Sequence, residues 1–176
     1  MSYGSLIPYA KDGLITTVAA RPSLAAIRVS REWPRQDGDE RSPDTGAAEA
    51  IWLGRDGAQD VDGDADVVVL TGAQMRIDET FRVWLTIQVR QEDGDGIRQD
   101  AGTQQAATRR AWTLAYEAVA AVAATPQLGI SITGEVTMFQ WSGTYATRER
   151  TGALTKGGYG SAVELGFDFS GRLTPT

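Results

Sequence analysis

The chain contains no cysteine and no histidine among its 176 residues. Without cysteine there is no disulfide, and without either residue there is no zinc site built on thiolate or imidazole ligands. The same two absences exclude the Ser-His-Asp and Cys-His nucleophilic systems. Any catalysis would therefore depend on carboxylates, tyrosine, arginine or a serine–lysine pair.

Lysine is almost absent as well, because only Lys11 and Lys156 accompany the arginines in a total of 17 basic residues. Asp and Glu number 23, which gives a formal net charge of -6. A protein whose main task is to neutralise phosphates has the opposite balance, so we expect no specific binding of nucleic acid. Arginine in place of lysine suits planar ion pairs at protein interfaces.

Long hydrophobic runs are also missing. No stretch approaches the ~18 consecutive apolar residues of a transmembrane helix. Residues 1–20 lack the basic start and the unbroken apolar run of a signal peptide. Apolar residues still make up 41% of the chain, which is enough for the core of one domain. We therefore expect a single soluble, intracellular domain over residues 1–176, with no membrane partner.

Hydrophobic alternation predicts a sheet. Between residues 80 and 90, apolar side chains occupy the odd positions and mostly polar ones the even positions, which is the pattern of a half-buried strand. Weaker patterns predict further strands at residues 25–33, 51–53, 67–70, 130–145 and 163–169. Because such alternation buries only one face, it favours antiparallel pairing.

The helical pattern is clearest at residues 103–125. An alanine-rich stripe through Ala111, Leu114 and Ala118 suits a helix that lies close to a sheet, and the pattern stops before Pro126. Residues 3–20 predict a shorter N-terminal helix. The expected fold is α+β, with one mostly antiparallel sheet and the long helix packed on one face.

Two polar segments, residues 34–48 and 146–160, predict long loops because they hold almost no large apolar side chain. Arg148, Arg150 and Lys156 make the second segment the most basic part of the chain. It is a candidate docking loop for an acidic protein surface.

No motif predicts a catalytic residue, a metal site or a cofactor. Asp60, Asp62 and Asp64 have the spacing of the first ligands of a calcium loop, but Ala65 replaces the required glycine and Thr71 the terminal glutamate. We therefore interpret residues 54–66 as a solvated acidic turn. The adjacent carboxylates at residues 78–79 lack any sign of a cleft that would shift their pKa values.

Aromatic residues indicate a candidate subunit interface. Arg82 and Trp84 fall on the polar face of the strongest strand, and Phe139 falls out of register with the buried set of its own strand. Tryptophan and arginine together on an outward face are typical of a protein interface. In the alternative interpretation the N-terminal helix covers that face and Trp84 belongs to the core; we favour the interface.

Several short motifs resemble a known family. In chain order they are Trp33-Pro34 at the end of an early predicted strand, IWLG at residues 51–54, the E-x-F-x-V pattern of Glu79, Phe81 and Val83, and the P-x-L-G turn at residues 126–129. In this order they resemble the tail terminator proteins of long-tailed, siphovirus-type phages of actinobacteria. The resemblance spans roughly residues 20–174, although the two predicted loops look longer than is usual for the family.

The resemblance implies a structural virion protein and not an enzyme. Terminators form a ring, generally of six subunits, that caps the head-proximal end of the tail tube, stops its polymerisation and joins it to the head connector proteins. The implied partners are other copies of the chain, the tube protein and the connector proteins. DNA would only pass through the lumen, and the protein would be assembled in the host cytoplasm.

Two other classes remain open at this stage. Another neck or tail-completion protein would differ only in its position in the assembled particle. A small carboxylate-dependent enzyme or ligand-binding domain would be monomeric and would have a deep pocket lined by Asp or Glu.

Overall fold

The computed structural model describes residues 5–31, 35–36, 39–43, 49–55, 61–69, 75–91, 101–131, 136–153 and 159–174. Two α-helices, a single 3₁₀ turn at Pro22–Leu24 and eight strands lie within these ranges. The elements are α1 (Ile7–Ala19), β1 (Arg28–Ser30), β2 (Arg35–Gln36), β3 (Asp39–Pro43), β4 (Glu49–Leu53), β5 (Val61–Val69), β6 (Met75–Gln91), α2 (Ala101–Ala124), β7 (Val136–Ala153) and β8 (Tyr159–Leu173).

Six of the strands form one sheet around β6. Along one edge of β6, β4 pairs with residues 85–89 and β5 pairs with residues 75–83. β8 pairs along the other edge, and β7 lies outside β8. All of these pairs are antiparallel, and β1 adds one parallel pair to β4. The predicted α+β class with a mostly antiparallel sheet is confirmed.

Both helices pack on the same face of the sheet. The odd-numbered residues of β6 from Phe81 to Val89 lie in one buried cluster with Leu14 of α1 and with the alanine stripe of α2. Alanine side chains keep the axis of α2 close to the sheet, as the sequence predicts. We call this side the helix face and the opposite side of the sheet the outer face.

The helix α2 ends where the sequence predicts. Its last residue is Ala124, and Pro126 follows in a turn. Leu128 and Gly129 then adopt positive φ angles of 52° and 69°, the left-handed backbone that commonly closes a helix. The carbonyl of Pro126 accepts a hydrogen bond from the Trp141 amide, which ties this turn to β7.

A carboxylate from the sheet closes the first turn of α1. Leu6, the residue before the helix, has no side-chain cap, but its backbone N–H donates to Glu79 Oε2 at 2.6 Å. The hydroxyl of Ser5 donates to the same oxygen at 3.2 Å. Since an unpaired N–H at a buried helix start is costly, Glu79 supplies the cap that the helix sequence lacks.

The prediction of an acidic turn over residues 54–66 is wrong for its second half, because residues 61–66 belong to β5. The N-terminal half of β6 offers an open edge, and residues 61–67 alternate small or apolar residues with aspartates. That alternation is itself a strand signal, and the calcium-like spacing obscured it. Residues 56–60 lie outside the described residues.

The loop predicted at residues 146–160 is also wrong for its first half, because β7 continues to Ala153. Thr147 and Arg148 pair with Leu165 and Glu164 of β8. An edge strand buries little, so its sequence lacks the apolar alternation on which the prediction depended. Residues 154–158 lie outside the described residues.

Within the loop predicted at residues 34–48, β2 and β3 pair as a small antiparallel hairpin. The remaining residues of that segment lie outside the described residues. Among the described residues, no helix is both long and apolar enough to cross a membrane.

Candidate functional site

Trp84 lies on the outer face, as predicted, but it is only 6% exposed. A Cβ placed on Gly166, its partner across β6 and β8, would lie 3.0 Å from two atoms of the indole ring. The guanidinium carbons of Arg55 and Arg82 lie 4.5 Å and 5.6 Å from the ring centroid. Trp84 is therefore buried within the single chain by a glycine and two arginines. The N-terminal helix does not cover it, because α1 packs on the helix face.

The predicted exposure of Phe139 is wrong, since the residue is 1% exposed and belongs to the core. Its ring stacks on Phe169 with 5.4 Å between centroids. The register of β7 shifts between Val136 and Met138, so the alternation changes phase there. This bulge turns Phe139 to the helix face and Met138 to the outer face.

Ion pairs occupy much of the outer face. Arg82 donates to both carboxylate oxygens of Asp168, at 2.7 and 3.0 Å, and Thr144 donates to Oδ2 at 3.0 Å. The hydrogen bond from Arg82 is the main cause that lowers the pKa of Asp168. Arg82 is therefore bound to a carboxylate of its own chain. Trp84, the aromatic residue expected beside it at an interface, is itself buried.

A second cluster lies at the end of the sheet near β5. Asp78 accepts hydrogen bonds from Arg76 on the same strand and from Arg172 on β8, each with a 2.6 Å contact. The Arg76 bond and then the Arg172 bond lower the pKa of Asp78 to about 2. This carboxylate is ionised at neutral pH and cannot act as a general acid.

Asp78 and Glu79 do not form a pair. Adjacent residues of a strand point to opposite faces, so Asp78 lies on the outer face while Glu79 caps α1 on the helix face. Among the described residues, no group of three or more carboxylates is placed to hold a metal ion.

Arg148 and Arg150 lie on β7 and not on a loop, and Lys156 lies outside the described residues. Arg150 donates to Glu164, whose side chain is 1% exposed. Arg148 lies on the same strand, four residues after Thr144. It is exposed and has no ion pair with the described residues. The predicted docking set is thus divided: Arg150 neutralises a buried carboxylate, and Arg148 is available to a partner.

Three large apolar residues of the described part are exposed. They are Tyr116 at 62%, Tyr145 at 38% and Met138 at 36% exposure. Two of the three stand on β7, and Tyr116 stands on α2 one helical turn from Trp112, which bonds to β7. Met138 is level with Arg172 on the outer face, and Tyr145 is level with Phe167 on the helix face, so the two flank the margin of the sheet that β7 forms. Aromatic residues and methionine are enriched at interfaces, so this margin is a candidate binding surface.

One hydrogen bond ties this region of α2 to β7, and ring contacts support the two tyrosines. Trp112 Nε1 donates to Glu149 at 2.8 Å, and the rings of Trp112 and Tyr116 lie 5.8 Å apart. Tyr145 packs on buried Phe167 with 6.2 Å between centroids. The exposed aromatics therefore sit on fixed supports.

The backbone of β7 provides the second feature of this region. Among the described strands, β7 pairs only with β8, so the outer edge of an 18-residue strand has no strand partner there. A bulge with Gly143 at φ 85° interrupts it between Trp141 and Tyr145. An open edge of this length is a template for pairing with another chain. We define the β7 edge surface as Tyr116, Met138, Tyr145 and Arg148 with the unpaired edge of β7.

Sequence reasoning missed three of these four residues for two reasons. Tyr116 stands outside the buried stripe of α2, so helical periodicity alone marks it as an exposed aromatic. Met138 and Tyr145 carry no such signal, because the two bulges of β7 change the face to which each residue points.

An open groove of about 360 Å³ lies between the C-terminal ends of α1 and α2. Its walls are mostly small or hydroxyl-bearing residues together with Pro22 and Leu128, and Arg21 is the one charged residue in the lining. Arg21 is bound to Glu117 at 2.9 Å, and Ser23 donates to the same carboxylate oxygen. The lining therefore contains no carboxylate or amine that could act as an acid or base on a ligand.

In comparisons with known proteins, no family model matches the chain, and no curated protein matches it significantly.

Proposed function

We propose that this protein is a structural subunit of a phage tail. Several copies would form a ring that caps the head-proximal end of the tail tube, stops its polymerisation and joins it to the head connector. The protein would then be part of the virion, in the tail or neck, and would have no enzymatic activity.

The observation that carries this proposal is the β7 edge surface. It combines a strand edge that has no partner among the described strands with Tyr116, Tyr145 and Met138, residue types enriched in interface cores. A ring subunit needs such a surface on a rigid support, and the supports here are buried Phe167 and the hydrogen bond from Trp112 to Glu149. The surface lies at one margin of the sheet, where a strand of a neighbouring subunit can add to the sheet.

The sequence resemblance supplies the particular setting. Glu79, Phe81 and Val83 match the family pattern, and all three side chains lie on the helix face. The P-x-L-G residues form the turn that closes α2 and ties it to β7. These matched positions are therefore structural ones, so they support a shared architecture and leave the partners to experiment.

Electron microscopy of the purified protein, alone and with its tail tube protein, tests the proposal. We expect rings seen end-on, or a ring at one end of each tube and tubes that no longer grow at that end. Protein that never associates with tubes, whatever its concentration, would contradict the proposal.

A further inference from the structure

We infer that the β7 edge of one copy pairs with strand β5 of the next copy, so that the sheet continues from subunit to subunit around the ring. This inference rests on the proposed function for the ring. The pairing itself is argued from strand order, strand direction and charge.

Strand order places β5 and β7 at opposite margins of the same half of the sheet. Residues 75–83 of β6 lie between β5 on one side and β8 on the other, and β7 follows β8. Among the described strands, β5 pairs only with β6, as β7 pairs only with β8. The four strands β5, β6, β8 and β7 therefore form a unit with one open edge at each end.

Strand direction makes these two edges compatible. Each neighbouring pair in the unit is antiparallel, so the first strand, β5, runs opposite to the fourth, β7. A copy related by rotation about an axis to which the strands are tilted, as in a barrel, presents β5 antiparallel to the β7 edge. Two different edges that meet in this way form a heterologous contact, which gives a ring when the rotation between copies closes.

Charge selects β5 as the occupant. β5 contains Asp62, Asp64 and Asp66 and no basic residue, and these aspartates are the register partners of outer-face positions on β6. Arg148 is exposed on the outer face of β7. Rotation keeps the outer face of each copy on the same side, so the acidic positions and Arg148 meet on one face.

Self-pairing of two β7 strands offers no such match. The only acidic residue of β7 is Glu149, which faces the helices and accepts a hydrogen bond from Trp112. Arg148 would then have no carboxylate from β7 on its own face. Strand β5 of a second copy is therefore the better partner.

The register can be estimated from the chain itself. Asp62 is level with Arg82 and Asp168, and Asp168 bonds to Thr144 on β7. Pairing Asp62 with Arg148 then requires a stagger of about four residues between copies, and a sheet that closes on itself requires stagger of this kind. In this register Gly63 lies opposite Thr147. In the register shifted by two residues, Ala65 lies opposite Thr147.

The absence of cysteine makes a direct test possible. Two double variants are prepared, Gly63→Cys with Thr147→Cys and Ala65→Cys with Thr147→Cys, together with each single variant. After mild oxidation we expect at least one double variant to give a ladder of covalent multimers that a reductant reverses. The single variants should stay monomeric on the same gel.

Two results would overturn the inference. Cross-linked dimers from Thr147→Cys alone would mean that β7 pairs with itself. Absence of cross-links in both double variants, under conditions where light scattering shows a multimer, would mean that β7 and β5 do not meet.

A charge exchange provides a second readout. Arg148→Glu should weaken association about tenfold or more, and adding Asp62→Arg should restore most of it. Arg31→Glu, which changes an exposed arginine directly after β1 at the opposite margin of the sheet, is the control and should leave association unchanged. If Asp62→Arg fails to restore association, the proposed pairing is wrong.

These outcomes are separate from tube capping. A ring cross-linked through β5 and β7 that leaves tube growth unaffected contradicts the proposed function and not this inference. A protein that caps tubes but gives no such cross-links contradicts this inference and leaves the proposed function intact. If the chain alone is monomeric, oxidation is repeated with the tube protein, and a monomer in both conditions overturns both proposals.

Discussion

At the scale of single residues, the contact between Trp84 and Gly166 holds the centre of the outer face together. The absent side chain at Gly166 makes room for the indole ring and for the Arg82 stem. Tryptophan covering a cross-strand glycine stabilises a sheet by packing where the glycine cannot. A residue that looked exposed in sequence is buried because its partner is small.

Gly166→Ala should therefore destabilise the fold. An added Cβ would lie 2.6 Å from Arg82 Cδ and 3.0 Å from the Trp84 ring, so these side chains must shift. We expect a loss of ~1–3 kcal/mol in the free energy of unfolding, measured by urea denaturation. Gly152→Ala is the control, since a Cβ there meets nothing within 4 Å. Equal effects at both positions would contradict this account.

The Asp78 carboxylate predicts a defined acid sensitivity. Its pKa of about 2 in the folded chain lies below the ordinary value near 4, because Arg76 and Arg172 bind the charged form. The unfolded chain therefore takes up the proton first, so this contribution to stability is present above about pH 4 and is lost as the pH falls to about 2.

In Asp78→Asn, unfolding free energy measured between pH 5 and pH 2 should fall less steeply than in the unchanged protein. Asp12→Asn is a suitable control, because Asp12 pairs with exposed Arg31 and its contribution should be small. Identical slopes for Asp78→Asn and the unchanged protein would argue against the Arg76–Asp78–Arg172 cluster.

At the scale of elements, α1 depends on a residue 73 positions away in the chain. Glu79 accepts the Leu6 N–H from within the sheet, so the start of the helix forms only when β6 is in place. The buried residues of α1, including Leu14 and Val18, then fill the helix face.

Glu79→Ala should cost ~2 kcal/mol in unfolding free energy, since it removes a charge-assisted cap at a buried site. Glu79→Gln keeps an acceptor oxygen and should cost less. Glu49→Ala removes a carboxylate that binds exposed Arg110 and should change stability by under ~0.5 kcal/mol. If Glu79→Ala behaves like Glu49→Ala in chemical denaturation, the cap is not the role of Glu79.

Elements with one buried face could be predicted from the sequence. The five apolar odd positions of β6 and the alanine stripe of α2 depend only on period, so both elements and the α+β class follow from the residues. The extent of β5 and β7 could not be predicted in this way. β5 is a strand because β6 offers it an edge, and β7 is a long edge strand with two bulges, so its residues carry no constant alternation.

The candidate site shows the same division. Trp84 was assigned to the correct face, but its burial depends on Gly166, 82 residues further along, and no local pattern reveals that contact. The phase change at Met138 exchanged the expected positions of Met138 and Phe139. Arg148 is exposed, but it lies on a strand and not on a loop, and its role in docking stays a prediction.

At the scale of the whole molecule, stability and association should depend on different residues. Trp84→Ala should cost ~3–5 kcal/mol of folding stability, because it empties a buried site. Tyr145→Ala should change the stability of the single chain by less than ~1 kcal/mol and yet weaken association, because its ring is exposed on the β7 edge surface.

Thermal unfolding and light scattering of the two variants measure both effects side by side. Tyr116→Ala should behave like Tyr145→Ala, as both side chains belong to the same surface. If the Trp84→Ala protein keeps its full stability and loses only association, Trp84 is an interface residue. That result would contradict its burial within the chain.

We propose above all that copies of this chain assemble into a closed ring through the β7 edge surface. Native mass spectrometry tests it most directly, because it counts the subunits in each particle. We expect one discrete species, most simply of six 18.9 kDa chains, formed by the protein alone or on addition of its tube protein, and lost in Tyr145→Ala. A protein that remains monomeric in both conditions, or a multimer unaffected by Tyr145→Ala, would contradict the claim.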